Sequence, residues 1–205
     1  MSFLAGSTNR KTGALTLTQR IPLQRKPSMA LTGLPNTAID DSASTPYNDE
    51  VPVDLLGKVQ PLDPLGGDFE GLVTDPKDGT FWMVDEYRPA IYHFDAKGVL
   101  MQRYVPIGTA TAAGQPPGTF GQEVLPAVLA QRRQNRGFEA IAYDNGKIYA
   151  FVQSPVRNPV SLSFEEAVRI GTVMLDPKFF PNGEVLKNNY EIKSTRRESD
   201  ENRSN

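Results

Sequence analysis

The chain has 205 residues, 22 Lys and Arg against 24 Asp and Glu, a formal net charge of −2 and no cysteine. That balance provides no broad field to recruit nucleic acid or an acidic membrane surface, and the missing cysteines exclude disulfides and thiolate metal sites. No apolar run is long enough for a transmembrane helix, and the apolar patch at the start, Met1 to Arg10, is too short for a secretory signal.

In chain order, Ala14–Leu23 alternates as a strand. Residues 25–60 are rich in Pro, Ser, Thr and Asp and read as a long loop, with a short strand at Val51–Leu56. Phe69–Thr74, Thr80–Asp85, Ala90–Phe94 and Val99–Val105 are predicted as four strands, with turns at Pro76–Gly79 and Ala96–Gly98. Gly108–Gly121 is a Gly/Pro/Thr/Ala loop. In Glu123–Gln134, the apolar spacing of Val124, Leu125, Val128 and Leu129 predicts a short helix. Phe138–Tyr143, Lys147–Gln153, Gly171–Leu175 and Glu184–Ile192 give a second set of four strands, with a short helix at Phe164–Val168. Residues 194–205 are polar and charged and read as a disordered tail.

The two strand sets echo one another. Asp68-Phe69-Glu70-Gly71-Leu72-Val73 recurs as Gly137-Phe138-Glu139-Ala140-Ile141-Ala142. Each copy is followed by a turn, Asp78-Gly79 or Asn145-Gly146, and then by an aromatic, apolar run. Four short strands per unit is the content of a propeller blade. The expected fold is therefore all-β and β-propeller-like: an incomplete propeller of about two blades plus an extra N-terminal strand. The expected divisions are a terminal strand of a preceding blade (1–24), a long loop (25–60), a first blade (61–107), an insertion loop with a short helix (108–136), a second blade (137–193) and the tail (194–205). Two blades do not close a ring, so the reading expects missing blades, in a longer chain or in a partner chain.

Acidic residues mark the repeat. Asp68 and Glu70 are two apart and share a side of a strand, and Glu139 is the counterpart of Glu70. First strands of neighbouring blades line a propeller channel, so these acids converge and repel unless a cation or an arginine sits among them. Oxygen ligands without His or Cys favour a hard cation such as Ca²⁺, with Asp68, Glu70 and Glu139 as its ligands. Asp85 and Glu86 end the second strand, where a turn can expose both. The competing reading is that all these acids cap turns and pair with arginines. Of Arg132, Arg133 and Arg136, the last stands beside the repeated acidic motif and has the better claim to a phosphate or carboxylate. His93 is the only histidine and reads as structural; Trp82, Tyr87 and Tyr92 read as packing. There is no Gly-x-Ser-x-Gly elbow, Walker loop, Rossmann glycine pattern or EF-hand loop.

Taken together, three motifs resemble the phytase-like, "esterase-like activity of phytase" family. They are Gly67-Asp68-Phe69-Glu70-Gly71-Leu72, Phe81-Trp82-Met83-Val84-Asp85-Glu86-Tyr87 with Ile91-Tyr92-His93-Phe94-Asp95, and Leu125 to Arg133 followed by Asn135-Arg136-Gly137-Phe138-Glu139. The similarity spans about Leu62 to Tyr190. The resemblance implies a propeller-like fold, phosphoesterase activity on a small phosphate ester, and export from the cell. Carried over by motif, Glu70, Asp85, Glu86, Glu139 and Arg136 are the candidate catalytic residues. This chain departs from the family where the repeat stops after two units, and where the second copy has Ala140 for Gly71 and Gln153 for Glu86. Two functions follow: a hydrolase of phosphate esters, calcium-dependent and using the clustered acids, or a non-catalytic propeller that binds partners through its loops. A truncated, inactive product is the third reading.

Overall fold

The structure is a computed structural model that describes residues 1–35, 51–132, 135–144, 146–154 and 172–175. The predicted short helix at Phe164–Val168, the strand at Glu184–Ile192 and the tail lie outside the described residues. Among those described, the chain is all-β with almost no helix. Strands β1 (Ser2–Thr8) and β2 (Leu15–Pro22) form a hairpin, and β3 (Gln24–Lys26) pairs with β4 (Met29–Ala30). Then β5 (Phe69–Thr74), β6 (Phe81–Asp85), β7 (Ala90–Phe94) and β8 (Leu100–Pro106) run as an antiparallel meander. A fifth strand, β9 (Gln122–Leu125), joins β8 in parallel. The last sheet is β10 (Phe138–Asp144), β11 (Lys147–Val152) and β12 (Thr172–Leu175).

The turns of the meander follow from their residues. Asp78 accepts hydrogen bonds from the Thr80 amide and hydroxyl at 2.9 and 2.8 Å, and Gly79 takes φ +74°. Asp95 accepts from the Lys97 and Val99 amides at 2.9 and 2.8 Å, and Gly98 takes φ +86°. Aspartate side chains that mimic a backbone turn, followed by a glycine in the left-handed region, close such hairpins at little steric cost.

Both faces of the meander are covered. Trp82, Val84, Ile91 and Tyr104 pack with Phe138, Ile148 and Ala150 of the last sheet. Phe81, Tyr92, Phe94 and Val105, on the opposite face, pack with Ile21, Leu23 and Leu31 from the N-terminal segment. The five-stranded sheet is therefore a middle layer, which is why β6 and β7 read as nearly continuous apolar runs. His93 stacks flat on Trp82, with centroids 3.8 Å apart, and plays the packing part expected of it.

Four expectations are corrected. Among the described residues of Glu123–Gln134 the short helix is a five-residue 3-10 helix, Ala127–Gln131, and the part before it, Gln122–Leu125, is β9. Pro126 divides them, since it has no N–H to donate and disfavours the α-conformation in Leu125 before it. The apolar spacing is satisfied instead by burial of Val124, Leu125 and Leu129. In the 108–121 loop, Thr109–Ala112 forms one helical turn, α1, whose Gly108 and Ala110 amides donate to Glu123 at 2.8 and 3.0 Å. Lastly, Val51–Leu56 contributes only an isolated bridge, Val53 to Val59, and β1 is a strand where none was expected. No described helix is long and apolar enough to cross a membrane.

Gly137 shows how tightly the last sheet docks. Its amide donates to the Glu86 carbonyl at 2.9 Å, and a Cβ at this position would lie 2.2 Å from that same oxygen. Gly137→Ala should therefore cost about 1–3 kcal/mol of stability by overpacking, read as a lowered denaturant midpoint at unchanged slope. A midpoint equal to that of the parent would refute this docking.

Candidate functional site

Where β5 meets β10, two irregular hairpins bring acids together. In the first hairpin Phe69 pairs with Asp85 and Gly71 with Val84, which leaves Glu70 as the extra, bulged residue. In the second, Phe138 pairs with Val152 and Ala140 with Phe151, which leaves Glu139 in the same position. A bulge bends its strand and re-aims a side chain. The Glu86 amide donates to the Asp68 carbonyl at 2.8 Å, and the Gln153 amide donates to the Gly137 carbonyl at 2.9 Å, so both hairpins end alike. Gly71 lets the strands approach: a Cβ there would lie 2.8 Å from the Ile141 side chain and 3.0 Å from its amide nitrogen.

The result is a cluster in which carboxylate oxygens of Asp68, Glu70 and Glu86 all lie within 4.8 Å of one another. Glu70 is exposed, Asp68 half-buried and Glu86 buried. Glu139 stands close enough to act electrostatically on both Glu70 and Glu86, and its Oε2 accepts from Gln153 Nε2 at 2.8 Å. Arg136 is the cation here. Its Nη1 lies 3.7 Å from Glu86 Oε1 and also donates to the Asn135 carbonyl at 2.8 Å. Two like charges at this spacing repel by on the order of 3–4 kcal/mol in a partly screened site, and less where water reaches them.

The carboxyls respond as that repulsion requires. Burial, then Glu139, Glu70 and Asp68, push Glu86 up to about 7, with Arg136 opposing. Burial, then Asp68 and Glu139, raise Glu70. The donor set is all oxygen and carries excess negative charge, so it suits a hard divalent cation such as Ca²⁺. A carboxyl titrating near neutrality can also exchange a proton with substrate or water at physiological pH.

Asp85 belongs elsewhere, and the expectation that a turn exposes Asp85 and Glu86 is wrong for both. Asp85 is fully buried and Glu86 is 6% exposed. The Asp85 carboxylate faces inward, accepting from the Asp68 and Tyr87 amides at 3.0 Å each and from the Tyr92 hydroxyl at 3.2 Å. Arg103 Nη2 lies 3.6 Å away. Burial pushes Asp85 up to about 6, held there by Arg103 and the donated backbone hydrogen bonds. It positions Asp68 at the site rather than presenting a reactive oxygen. Arg132 is buried and contributes positive charge near Asp85; Arg133 lies outside the described residues.

The motif reading named Gln153 only as a departure from Glu86, not as the residue that steadies Glu139, and it missed the buried Arg103. A signal for Arg103 exists: an arginine in a strand directly before Tyr104 and Val105 has no solvent face to spare.

The chain matches the Phytase-like family, described as "esterase-like activity of phytase", over residues 1–197. A protein of Arthroderma benhamiae named "Uncharacterized secreted protein" is 32% identical over 104 residues, covering 44% of this chain and 20% of that protein. No solved structure matches.

Both raised carboxyls bind protons more tightly folded than unfolded, so their contribution to stability is greatest below the ordinary carboxyl range and is lost as pH rises through about 6 for Asp85 and about 7 for Glu86. In chelator, Glu86→Gln should flatten the upper part of that decline and make the variant more stable than the parent at pH 8. Thermal melts across pH 4–8 would read this, and parallel curves for parent and variant would contradict it. With the match spanning nearly the whole chain and its motifs meeting at this site, the protein belongs to the phytase-like family.

Proposed function

We propose that the chain is part of a β-propeller-type hydrolase of phosphate esters that uses the acidic cluster and a bound Ca²⁺. The observation that carries this reading is the convergence of Asp68, Glu70 and Glu86 within 4.8 Å, where burial and then the neighbouring acids push Glu86 up to about 7. Asp68, Glu70 and Glu86 would hold the cation, with Glu139 beside them. Bound there, Ca²⁺ would supply Lewis-acid polarisation of a phosphoryl oxygen. Glu139, held by Gln153, would take a proton from an attacking water. Arg136 is exposed on one side and can turn its guanidinium to the charge that builds on the phosphoryl group.

The propeller reading is supported by the four-stranded meander β5–β8, by the second hairpin set against β5, and by the matching bulges at Glu70 and Glu139. In it, 61–107 and 137–193 are blades and 1–24 is the outer part of another. Leu4, Leu15 and Leu17 on the N-terminal hairpin are more than half exposed, as expected of a surface that further blades or a partner chain would cover. The chain spans a fifth of the fungal relative it matches, so the whole protein would supply them.

The test is Ca²⁺-dependent release of phosphate from a phosphomonoester by the longest natural form of the protein. Glu70→Gln and Glu139→Gln should each lower kcat by about 10²-fold or more, and chelator should abolish turnover. Full activity in both variants would remove the acids from the chemistry. Ligand capture without turnover would favour a binding propeller.

A further inference from the structure

The two bulged hairpins match position for position, yet they carry different chemistry. The Glu86 amide donates to the Asp68 carbonyl as the Gln153 amide donates to that of Gly137, and Glu70 and Glu139 occupy the two bulges. Asp68, Glu70 and Glu86 of the first hairpin thus correspond to Gly137, Glu139 and Gln153 of the second. Three carboxylates stand against one carboxylate and one amide. The two losses of an acid have different causes. At 137 no acid fits, because even a Cβ would lie 2.2 Å from the Glu86 carbonyl oxygen. Gln153 is exposed, and a glutamate has nearly its size, so what the amide adds there is its N–H donor.

That donor is in use. Gln153 Nε2 donates to Glu139 Oε2 at 2.8 Å. An ionised glutamate in its place would have no hydrogen to give and would repel Glu139. The donated bond fixes one oxygen of Glu139 and leaves the other for a further partner. It also accompanies a separation. Carboxylate oxygens of Asp68, Glu70 and Glu86, the three acids of the first hairpin, come within 4.8 Å of one another, and that group does not include Glu139. Glu139 nevertheless remains close enough to act electrostatically on Glu70 and Glu86. The one acid of the second hairpin therefore stands beside the cluster, held by an amide, and not within it.

We infer that Gln153 is the positioning residue that separates two roles among the acids of this site, an assignment that rests on the hydrolase reading. The acids of the first hairpin are left to the cation. Glu139, tethered by Gln153, is kept out of the ligand set and serves as the base. In the step it serves, the water oxygen bonds phosphorus as its proton passes to Glu139. The ester P–O bond breaks, and the alkoxide that leaves with its electron pair takes that proton from Glu139. A tethered carboxylate is less often turned away from the water, so the tether acts on turnover and not on binding.

The test sets turnover of a phosphomonoester beside Ca²⁺ binding by titration calorimetry, on the longest natural form of the protein. Parent, Gln153→Ala and Gln153→Glu are compared. Gln153→Ala should lower kcat about tenfold or more, the worth of one hydrogen bond to a charged group. Its KM and Ca²⁺ Kd should stay within about twofold of the parent. Gln153→Glu keeps the size of the side chain and adds a charge. It should lower kcat as far and tighten Ca²⁺ binding about tenfold, because the charge on the ligands sets affinity for this cation. A merely structural part would weaken Ca²⁺ binding in both variants. Unchanged kcat in Gln153→Ala, or Ca²⁺ binding that weakens in step with kcat, would overturn the assignment and leave the hydrolase reading standing. A parent without Ca²⁺-dependent turnover would remove the hydrolase reading, and the assignment with it.

Discussion

The Asp85 carboxylate is the constraint on which both charged regions depend. It sits at the end of β6 with no exposure and is satisfied by two backbone amides, the Tyr92 hydroxyl and the nearby Arg103. One of those amides belongs to Asp68, so the buried anion fixes the strand entry that carries Asp68 and Glu70 toward Glu86. On its other side the same anion keeps Arg103 in the interior. A buried carboxylate with one partner removed typically costs about 3–5 kcal/mol, so the energetics and the placement of the acids are tied together. Asp85 and Glu86 are adjacent yet face different environments, and this separation lets one be structural while the other titrates near neutral pH.

Charge in this molecule is organised by the middle sheet. One side of its entrance holds four carboxylates and one arginine, so negative charge is in excess there. The opposite face holds guanidinium groups paired with aspartates, Arg103 with Asp85 and Arg25 with Asp63. Apolar clusters on both faces pin the strands between them, so neither set of charges can relax by moving its backbone. Rigid placement of like charges is how a fold prepares a site for an ion of the opposite sign.

Much of this was legible from residues alone. The strands β5 to β8 and β10 to β11 follow from apolar alternation and from Asp-Gly or Asn-Gly turns, which are local signals. Glu70 and Glu139 stood out because they interrupt apolar strands at matching places, and Asp68, Asp85 and Glu86 because they flank the first copy. What the sequence could not convey was the bulges, since an extra residue in a ladder depends on its partner strand. Nor did it reveal the inward turn of Asp85, which only long-range donors such as Tyr92 make tolerable. The stretch from 123 shows periodicity blurred across a proline: the same apolar spacing serves a strand before Pro126 and a short 3-10 helix after it.

The most direct measurement is the titration of Glu86 by carboxyl carbon-13 NMR, in chelator and then in saturating Ca²⁺. In chelator the midpoint should lie near 7, because burial and three neighbouring acids oppose its charge. In Ca²⁺ it should fall well below that, since a bound cation favours the ionised form. A midpoint in the ordinary glutamate range without Ca²⁺, or one that Ca²⁺ leaves unmoved, would contradict the claim that these acids form a cation site.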